Sequence, residues 1–460
     1  MQAAVKKKGI GKNLTQGPVL KTLLTFAIPI VLTNLIQQLY SMVDLIVIGH
    51  YMSSIGTVAV STGGEVSDLM TPIASAFATA GQIFIAQLMG AQEKKKAHQA
   101  IGTLVTLMMS ISLVFMVLTV FGNGLILRWL NCPSEAVSEA SRYMVITAVG
   151  FPFIFGYNAV CSILRGMGEA KRPLFFIIVA AVVNIVLDLL LVVVIPLGAA
   201  GTAIATAGSQ AGAFIASFLF MYKSRDQIGF ELRPSFFKVR KEPLKVILKL
   251  AIPNLIRFTC VQFSMLWVKA SINSYGLVES ATNSVGNKLE KFINAFMQGT
   301  ETGCGAMIAQ NLGAKKHDRA RQTLLYTVAS CMIVAAIGSA LYLLIPKSLF
   351  RIFTNDEAVV DFGVIYLRIM VVNLFAAAFA GSFKSMLSGA GEVMLGFLVG
   401  ILDAVVFRIG ISLFCREVLG IGIYSFFWGT ALCQVVPGII SLVYFLSGKW
   451  KTKKLLSESK

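Results

Sequence analysis

The sequence predicts an all-α integral membrane protein whose twelve transmembrane helices form two six-helix halves. Three observations lead to this fold class. The chain of 460 residues is 56% hydrophobic and only 13% charged, whereas a soluble protein carries about 25% charged residues. Its apolar runs exceed the roughly 20 residues with which a helix crosses a bilayer. The two halves also repeat one another in sequence.

Twelve apolar segments are the predicted spans. In lipid the backbone must satisfy its own hydrogen bonds, so each span is a helix or a strand of a closed barrel. The segments are far longer than barrel strands and lack strict alternation, which favours helices. The first follows the basic stretch KKKGIGK. No small-residue cleavage site follows it, so we interpret it as a retained helix rather than a signal peptide. The predicted spans cover residues 22–50, 57–88, 97–122, 138–164, 173–195, 199–222, 246–274, 281–311, 321–345, 359–388, 393–415 and 420–446.

The formal net charge of +18 is distributed as a topology signal. Basic residues concentrate in the two terminal tails and in the connections that follow even-numbered spans. The opposite connections, with the outer end of the fourth span, hold only five, namely Arg128, Arg142, Lys347, Arg351 and Arg416. By the positive-inside rule, both termini are predicted to be cytoplasmic. The basic excess therefore indicates a lipid bilayer as the partner, with anionic head groups, and no nucleic acid.

An internal repeat at one nearly constant offset divides the chain. LLTFAIP at 23–29 matches ILKLAIP at 247–253, and LRGMGEA at 164–170 matches LSGAGEV at 387–393. Between them, IAQLMGAQEKKKAHQA at 85–100 matches IAQNLGAKKHDRARQT at 308–323. Ordered matches at one period indicate duplication. Six spans per half give two parallel halves, related by a pseudo-two-fold axis along the membrane normal, an arrangement found in transporters. The predicted domains are a cytoplasmic tail 1–21, a first lobe 22–222, a cytoplasmic linker 223–245, a second lobe 246–446 and a cytoplasmic tail 447–460.

Several of these features resemble one family of transporters. Each half has a proline early in its first helix, Pro29 or Pro253, and a GxGE segment after its fourth helix. In this the chain resembles the MATE (multidrug and toxic compound extrusion) transporters. The resemblance implies a V-shaped, twelve-helix fold of the MATE/MOP type in a bacterial cell membrane. It also implies export of cationic or amphipathic organic compounds, driven by inward flow of H⁺ or Na⁺.

Polar residues inside the most apolar spans are the main candidates for a functional site. Asn184 and Asp188 lie four residues apart in VVNIVLDLLLVVV, on one face of the fifth helix. A charge at mid-membrane is costly and rarely faces lipid. Counted from the span ends, Asp44, Asp188 and Thr206 lie roughly 10 Å below the outer surface. Such oxygens could bind Na⁺, or the two carboxyls could share a proton. The alternative is a set of hydrogen bonds that merely holds the helices together.

The resemblance assigns these residues a role. In the bacterial MATE branch with an aspartate in the first helix, the positions of Asp44, Asn184, Asp188 and Thr206 form the cation site of the first half. The second half has no equivalent set, because the repeat places Val268, Phe407, Ile411 and Gly429 at those positions. We therefore expect coupling chemistry in the first half, with H⁺ and Na⁺ both open.

Other charged residues within the spans are secondary candidates. Lys269, Glu301, Asp403 and Arg408 suggest either an ion-pair network, with Lys269 or Arg408 pairing Asp403, or contacts that line a cavity. At the start of the second helix, Glu65 and Asp68 correspond through the repeat to the bases Lys288 and Lys291. These four are either solvated faces or an inter-lobe salt-bridge gate. Pro29 is expected to kink the helix that carries Asp44.

No motif in the sequence indicates an enzyme. HExxH, a nucleophile elbow and a P-loop are absent from the sequence, and RGMGEA follows no predicted strand. His50, His98 and His317 have no metal-ligand spacing, so we expect no metal beyond Na⁺ and no cofactor. A flippase for a lipid-linked precursor is the alternative to an exporter, and a channel is less consistent with a deep carboxylate site. We expect a monomer that carries a small organic substrate.

Overall fold

A computed structural model describes residues 11–228, 231, 233–453 and 456 of the chain. Each predicted span corresponds to one long helix or to consecutive helical segments, which we number α1–α12 in chain order. Short helices, Arg225–Ile228, Pro346–Arg351 and Lys449–Thr452, lie between or after them. The bounds are α1 Val19–Tyr51, α2 Ser54–Gly90, α3 Lys94–Trp129, α4 Val137–Val149 with Phe151–Gly166, α5 Lys171–Asp188 with Leu189–Val194, α6 Ala199–Lys223, α7 Lys241–Asn273, α8 Leu277–Gly313, α9 His317–Leu344, α10 Glu357–Ala390, α11 Val393–Ile401 with Leu402–Ile409 and Gly410–Glu417, and α12 Tyr424–Leu432 with Val435–Leu446.

The all-helical membrane fold predicted from the sequence is confirmed. Among the described residues, ten helices are long and apolar enough to cross a membrane. The other two, α7 and α8, are equally long at 33 and 37 residues but carry more polar side chains. α8 nevertheless packs along both α9 and α10. The predicted span ends are close to the helix ends; the largest difference is at α3, which continues to Trp129.

The described chain forms two compact units. The first comprises residues 11–14 and 32–251, and the second comprises residues 15–31 and 252–453 with 456. The boundaries between the two units fall inside α1 and inside α7, close to the interior prolines Pro29 and Pro253. Both helices continue through the proline, which lacks the N–H that would close one backbone hydrogen bond. The predicted lobe boundaries stay a prediction.

The sequence repeat is also present in the packing of each unit. In the first unit, Gly166 of α4 lies against the Gln82 carbonyl of α2, and a β-carbon there would stand 2.9 Å from that oxygen. In the second unit, Gly389 of α10 lies against the Gly305 carbonyl of α8, where the same distance would be 2.8 Å. Both members of the first pair are related to those of the second by the same repeat offset. The duplicated sequence therefore folds into duplicated helix contacts.

The GxGE segments form turns that contact residues near the two ends of the described chain. Gly168 and Gly391 have φ of +87° and +71°, a conformation that favours glycine. In the first unit the Lys12 N–H donates to the Gly168 carbonyl at 3.1 Å. In the second unit the Lys453 ammonium donates to the Gly391 carbonyl at 3.1 Å, and Leu456 packs on Gly391. In each unit, the repeated motif therefore anchors a terminal segment.

Candidate ion-coupling site

The fifth helix changes its winding at Asp188. α5 is α-helical from Lys171 to Asp188 and continues as a π-helix over Leu189–Val194. Such wider turns occur frequently at functional sites. Asp188 is 0% exposed, and Asn184, one turn earlier, is 2% exposed. The two residues therefore lie together in the packed interior of the first unit.

Asp44 of α1 meets Asp188 of α5. Their carboxyl groups lie within hydrogen-bonding reach of each other. Both Asp188 oxygens, Asp44 Oδ1 and Asn184 Oδ1 are buried and accept no hydrogen bond. An unpartnered buried acceptor costs about 1–3 kcal/mol, and neighbouring carboxylates repel when both are ionised. This oxygen cluster is chemically suited to a shared proton or a bound cation.

Thr206, the fourth predicted member, lies on α6, which packs against α5. The close approach runs through Gly201 against Leu191 and Gly208 against Leu187. Thr206 itself is half-buried, and its carbonyl accepts a hydrogen bond from the Ser209 hydroxyl at 2.9 Å. In the part of the chain that the structure describes, no hydrogen bond joins the Thr206 hydroxyl to either aspartate. The structure thus brings together Asp44, Asn184 and Asp188 and places Thr206 on a neighbouring helix.

Two tyrosines that were not predicted adjoin the aspartates. Tyr40, one turn before Asp44 on α1, interacts electrostatically with Asp44 and lies near Gln210 of α6. Tyr143 of α4 interacts electrostatically with both Asp44 and Asp188. A sequence signal existed for each. Tyr40 lies one helical turn from Asp44, and the repeat places another tyrosine, Tyr366, at the position equivalent to Tyr143.

Two charged candidates of the second half, Asp403 and Arg408, belong to a buried ion-pair group. Asp403 of α11 pairs with Lys384 of α10 at 2.8 Å and with Arg408 at 3.5 Å. The predicted Arg408 partner is therefore present, whereas Lys269, the alternative partner, is exposed. Lys384 was not anticipated in this role. Glu301 of α8 interacts electrostatically with Lys384.

The predicted gate residues are all on exposed positions. Glu65 and Asp68 of α2 and Lys288 and Lys291 of α8 are exposed within their own units. Lys288 also lies over the Phe353 ring, 5.6 Å from its centroid. The gate itself stays a prediction. Within the described residues, no group of three or more His, Cys, Asp or Glu side chains could hold a metal ion.

A buried carboxyl on α8 was missed by sequence reasoning. Glu290 accepts a hydrogen bond from the Tyr366 hydroxyl at 2.5 Å and from the Asn373 amide at 3.0 Å, both on α10. Its local sequence, GNKLEKF, places it between two lysines, which suggested a solvated helix face. Glu290 lies one helical turn from Gly286, and both face Tyr366 of α10 in the structure.

Comparison with known proteins identifies the family. The family model described as MatE matches residues 29–190 and again 253–414. The chain belongs to the MatE family. Each match begins at one of the two helix prolines and covers most of one repeat. The family is one of membrane transporters, which places this chain among transporters.

Relatives and solved structures cover nearly the whole chain. A protein named "Probable multidrug resistance protein YpnP" from Bacillus subtilis is 29% identical over 97% of this chain and 99% of its own length. "Multidrug export protein MepA" from Staphylococcus aureus is 21% identical over 94% and 95%. The structure titled "Outward-facing conformation of a multidrug resistance MATE family transporter of the MOP superfamily" superposes with a TM-score of 0.90. At 20% identity it covers 97% of this chain and 99% of its own, so this likeness shows a shared MatE fold.

Proposed function

We propose that this MatE protein is a secondary active exporter of organic compounds, cationic or amphipathic, driven by inward H⁺ or Na⁺. Two of its relatives carry multidrug resistance or export in their names. The observation that carries the coupling proposal is the contact between Asp44 and Asp188, with four buried oxygens that lack a donor. Asp44 and Asp188 bind the ion and Asn184 contributes a neutral oxygen. The branch with an aspartate in the first helix is part of this proposal.

The chemistry of the cluster links ion binding to helix movement. An empty pair of carboxylates repels, and a proton or Na⁺ between them removes that repulsion and draws α1 and α5 together. α1 carries Pro29 in its interior, on the N-terminal side of Asp44, so bending at the proline can transmit the change along the helix. Thr206 on α6 completes the ligand set in the bound state. The ion is thereby coupled to the conformation of the first half.

The charges of the second half support an exporter over a lipid-precursor flippase. A site for pyrophosphate needs basic side chains whose charge is free to bind phosphate. Lys384 and Arg408 instead share Asp403. The remaining features of the proposal are a multi-pass monomer in the bacterial cell membrane with both termini in the cytoplasm.

Transport in proteoliposomes tests the proposal. A fluorescent organic cation is loaded and its uphill movement is driven by an imposed H⁺ gradient or, separately, by an imposed Na⁺ gradient. Wild-type protein should respond to one of the two, and Asp44→Asn and Asp188→Asn should abolish the response. Asp361→Asn is the control, because Asp361 is an exposed acid paired with Lys347. Unchanged uphill transport in both site variants, or downhill flow alone in wild type, would contradict coupled export at this cluster.

A further inference from the structure

Glu290 of the second half occupies a buried polar site that the coupling proposal does not use. Its side chain is on α8 and only 7% exposed. Each carboxylate oxygen accepts one donor: the Tyr366 hydroxyl at 2.5 Å and the Asn373 amide nitrogen at 3.0 Å. By the repeat, none of the first-half coupling positions corresponds to Glu290. The site is therefore separate in chemistry and position from the Asp44 cluster.

Polar atoms around Glu290 lack partners. Tyr342 of α9 is 1% exposed and Asn373 is 4% exposed, yet the Tyr342 hydroxyl and Asn373 Oδ1 have no hydrogen-bond partner. Tyr342 interacts electrostatically with Glu290. Buried polar groups are normally satisfied, so such atoms indicate a site that takes up another polar species. Asn373 Oδ1 can only accept a hydrogen bond, so the species that binds beside it must donate one.

A basic side chain of α11 faces Glu290. Arg408 of α11 interacts electrostatically with it and also pairs with Asp403 at 3.5 Å. Asp403 has the closer partner Lys384 at 2.8 Å. The Arg408 charge is therefore available to balance an ionised Glu290, with Tyr342, Tyr366 and Asn373 as the other groups that face the carboxyl.

We propose that Glu290 is a second proton-binding site of this transporter, with Arg408 as its counter-ion. In the ionised state Arg408 is shared between Glu290 and Asp403. When Glu290 takes a proton from water, the new O–H bond needs an acceptor, and Arg408 remains with Asp403 alone. The proton returns to water when the carboxyl ionises again.

The Asn373 amide is built to serve both states. Its NH₂ group donates to the ionised carboxylate, and its Oδ1, which has no partner, can accept the O–H of the protonated acid after the amide rotates. A metal ion fits less well, because each carboxylate oxygen already accepts a donor and a guanidinium stands nearby. The ligand of this site is therefore a proton rather than Na⁺.

Infrared difference spectroscopy of the purified full chain in liposomes tests the site without measuring transport. In an Asp44→Asn, Asp188→Asn background, acidification should produce a carboxylic C=O band. Glu290→Gln should remove that band, and Glu279→Gln, an acid in the first turn of the same helix, should retain it. Added Na⁺ at fixed pH should leave it unchanged.

A second variant keeps the test decisive if Glu290→Gln folds poorly. Tyr366→Phe removes one donor to Glu290, so it should shift the same band to higher frequency while the protein stays folded. A spectrum unchanged by both variants would overturn the proposal, as would loss of the band on addition of Na⁺. The readout is a vibrational band and not transport. Failure of the Glu290 proposal would therefore leave the export proposal standing, and failure of the export proposal would leave the Glu290 proposal standing.

Discussion

Removing the shared acid of the second-half ion pairs should destabilise the protein far more than removing an exposed acid. Asp403→Asn leaves two cations without their carboxylate: Lys384, whose side chain is 21% exposed, and Arg408, which is 8% exposed. Breaking a buried pair costs about 3–5 kcal/mol. Because Lys384 is partly solvated and Arg408 keeps Glu290 nearby, we expect the lower end, about 3 kcal/mol.

The chain contains a matched control for this prediction. Asp361 pairs with Lys347 at the same 2.8 Å distance, but their side chains are 61% and 55% exposed. Solvated pairs contribute at most about 1 kcal/mol, so Asp361→Asn should cost less than that. The difference of about 2 kcal/mol corresponds to roughly a 30-fold change in the unfolding equilibrium constant.

Reversible unfolding of the purified protein in mixed micelles measures both values. The double variant Lys384→Met, Asp403→Asn should lose less unfolding free energy than the two single variants lose in sum, because the two residues are in contact. Equal destabilisation by Asp403→Asn and Asp361→Asn would refute the reasoning. So would strict additivity between Lys384→Met and Asp403→Asn.

Three further predictions address packing, gating and the coupling ion. Gly389→Ala should cost about 1–3 kcal/mol in unfolding free energy, because its β-carbon would overpack a helix contact, whereas Gly396→Ala, which faces open space, should cost nothing. Neutralising Lys288 and Lys291 together should raise the labelling, from outside, of cysteines introduced near the first turns of α2 and α8 if the four exposed charges form a gate. Equal labelling would favour solvated faces. Asn184→Ala should abolish Na⁺-driven transport but only weaken H⁺-driven transport, since an amide can coordinate a metal ion and is not needed to carry a proton; the driving gradient that survives identifies the ion.

The span pattern was predictable because lipid imposes it on local sequence. A long run without charges has one solution in a bilayer, and Asp188 stood out within such a run. The repeat was visible because packed glycines such as Gly166 and Gly389 leave no room for a side chain, so the duplicated segments kept recognisable sequence. The spans depend on residues that are neighbours in the chain, and the repeat depends on one fixed sequence offset.

The roles of Lys384 and Glu290 in the second half were not predicted, because their contacts follow neither from chain neighbours nor from the repeat offset. Lys384 meets Asp403 across two helices, and no periodicity relates them. Glu290 is flanked by exposed lysines, so local charge suggested solvent even though its own side chain turns toward α10. The π-helical segment after Asp188 contains Leu191, which packs against Gly201 of α6, and this contact between two helices is not visible in a local sequence pattern.

The most direct test of Asp44 and Asp188 as the coupling site separates ion coupling from substrate movement. In proteoliposomes with equal fluorescent cation on both sides, exchange needs only alternating access, whereas accumulation needs the ion gradient. Asp188→Asn keeps side-chain volume and removes the charge that binds the ion, so it should retain exchange and lose gradient-driven accumulation. Accumulation at the wild-type rate in Asp188→Asn would contradict the assignment of Asp44 and Asp188 as the coupling site.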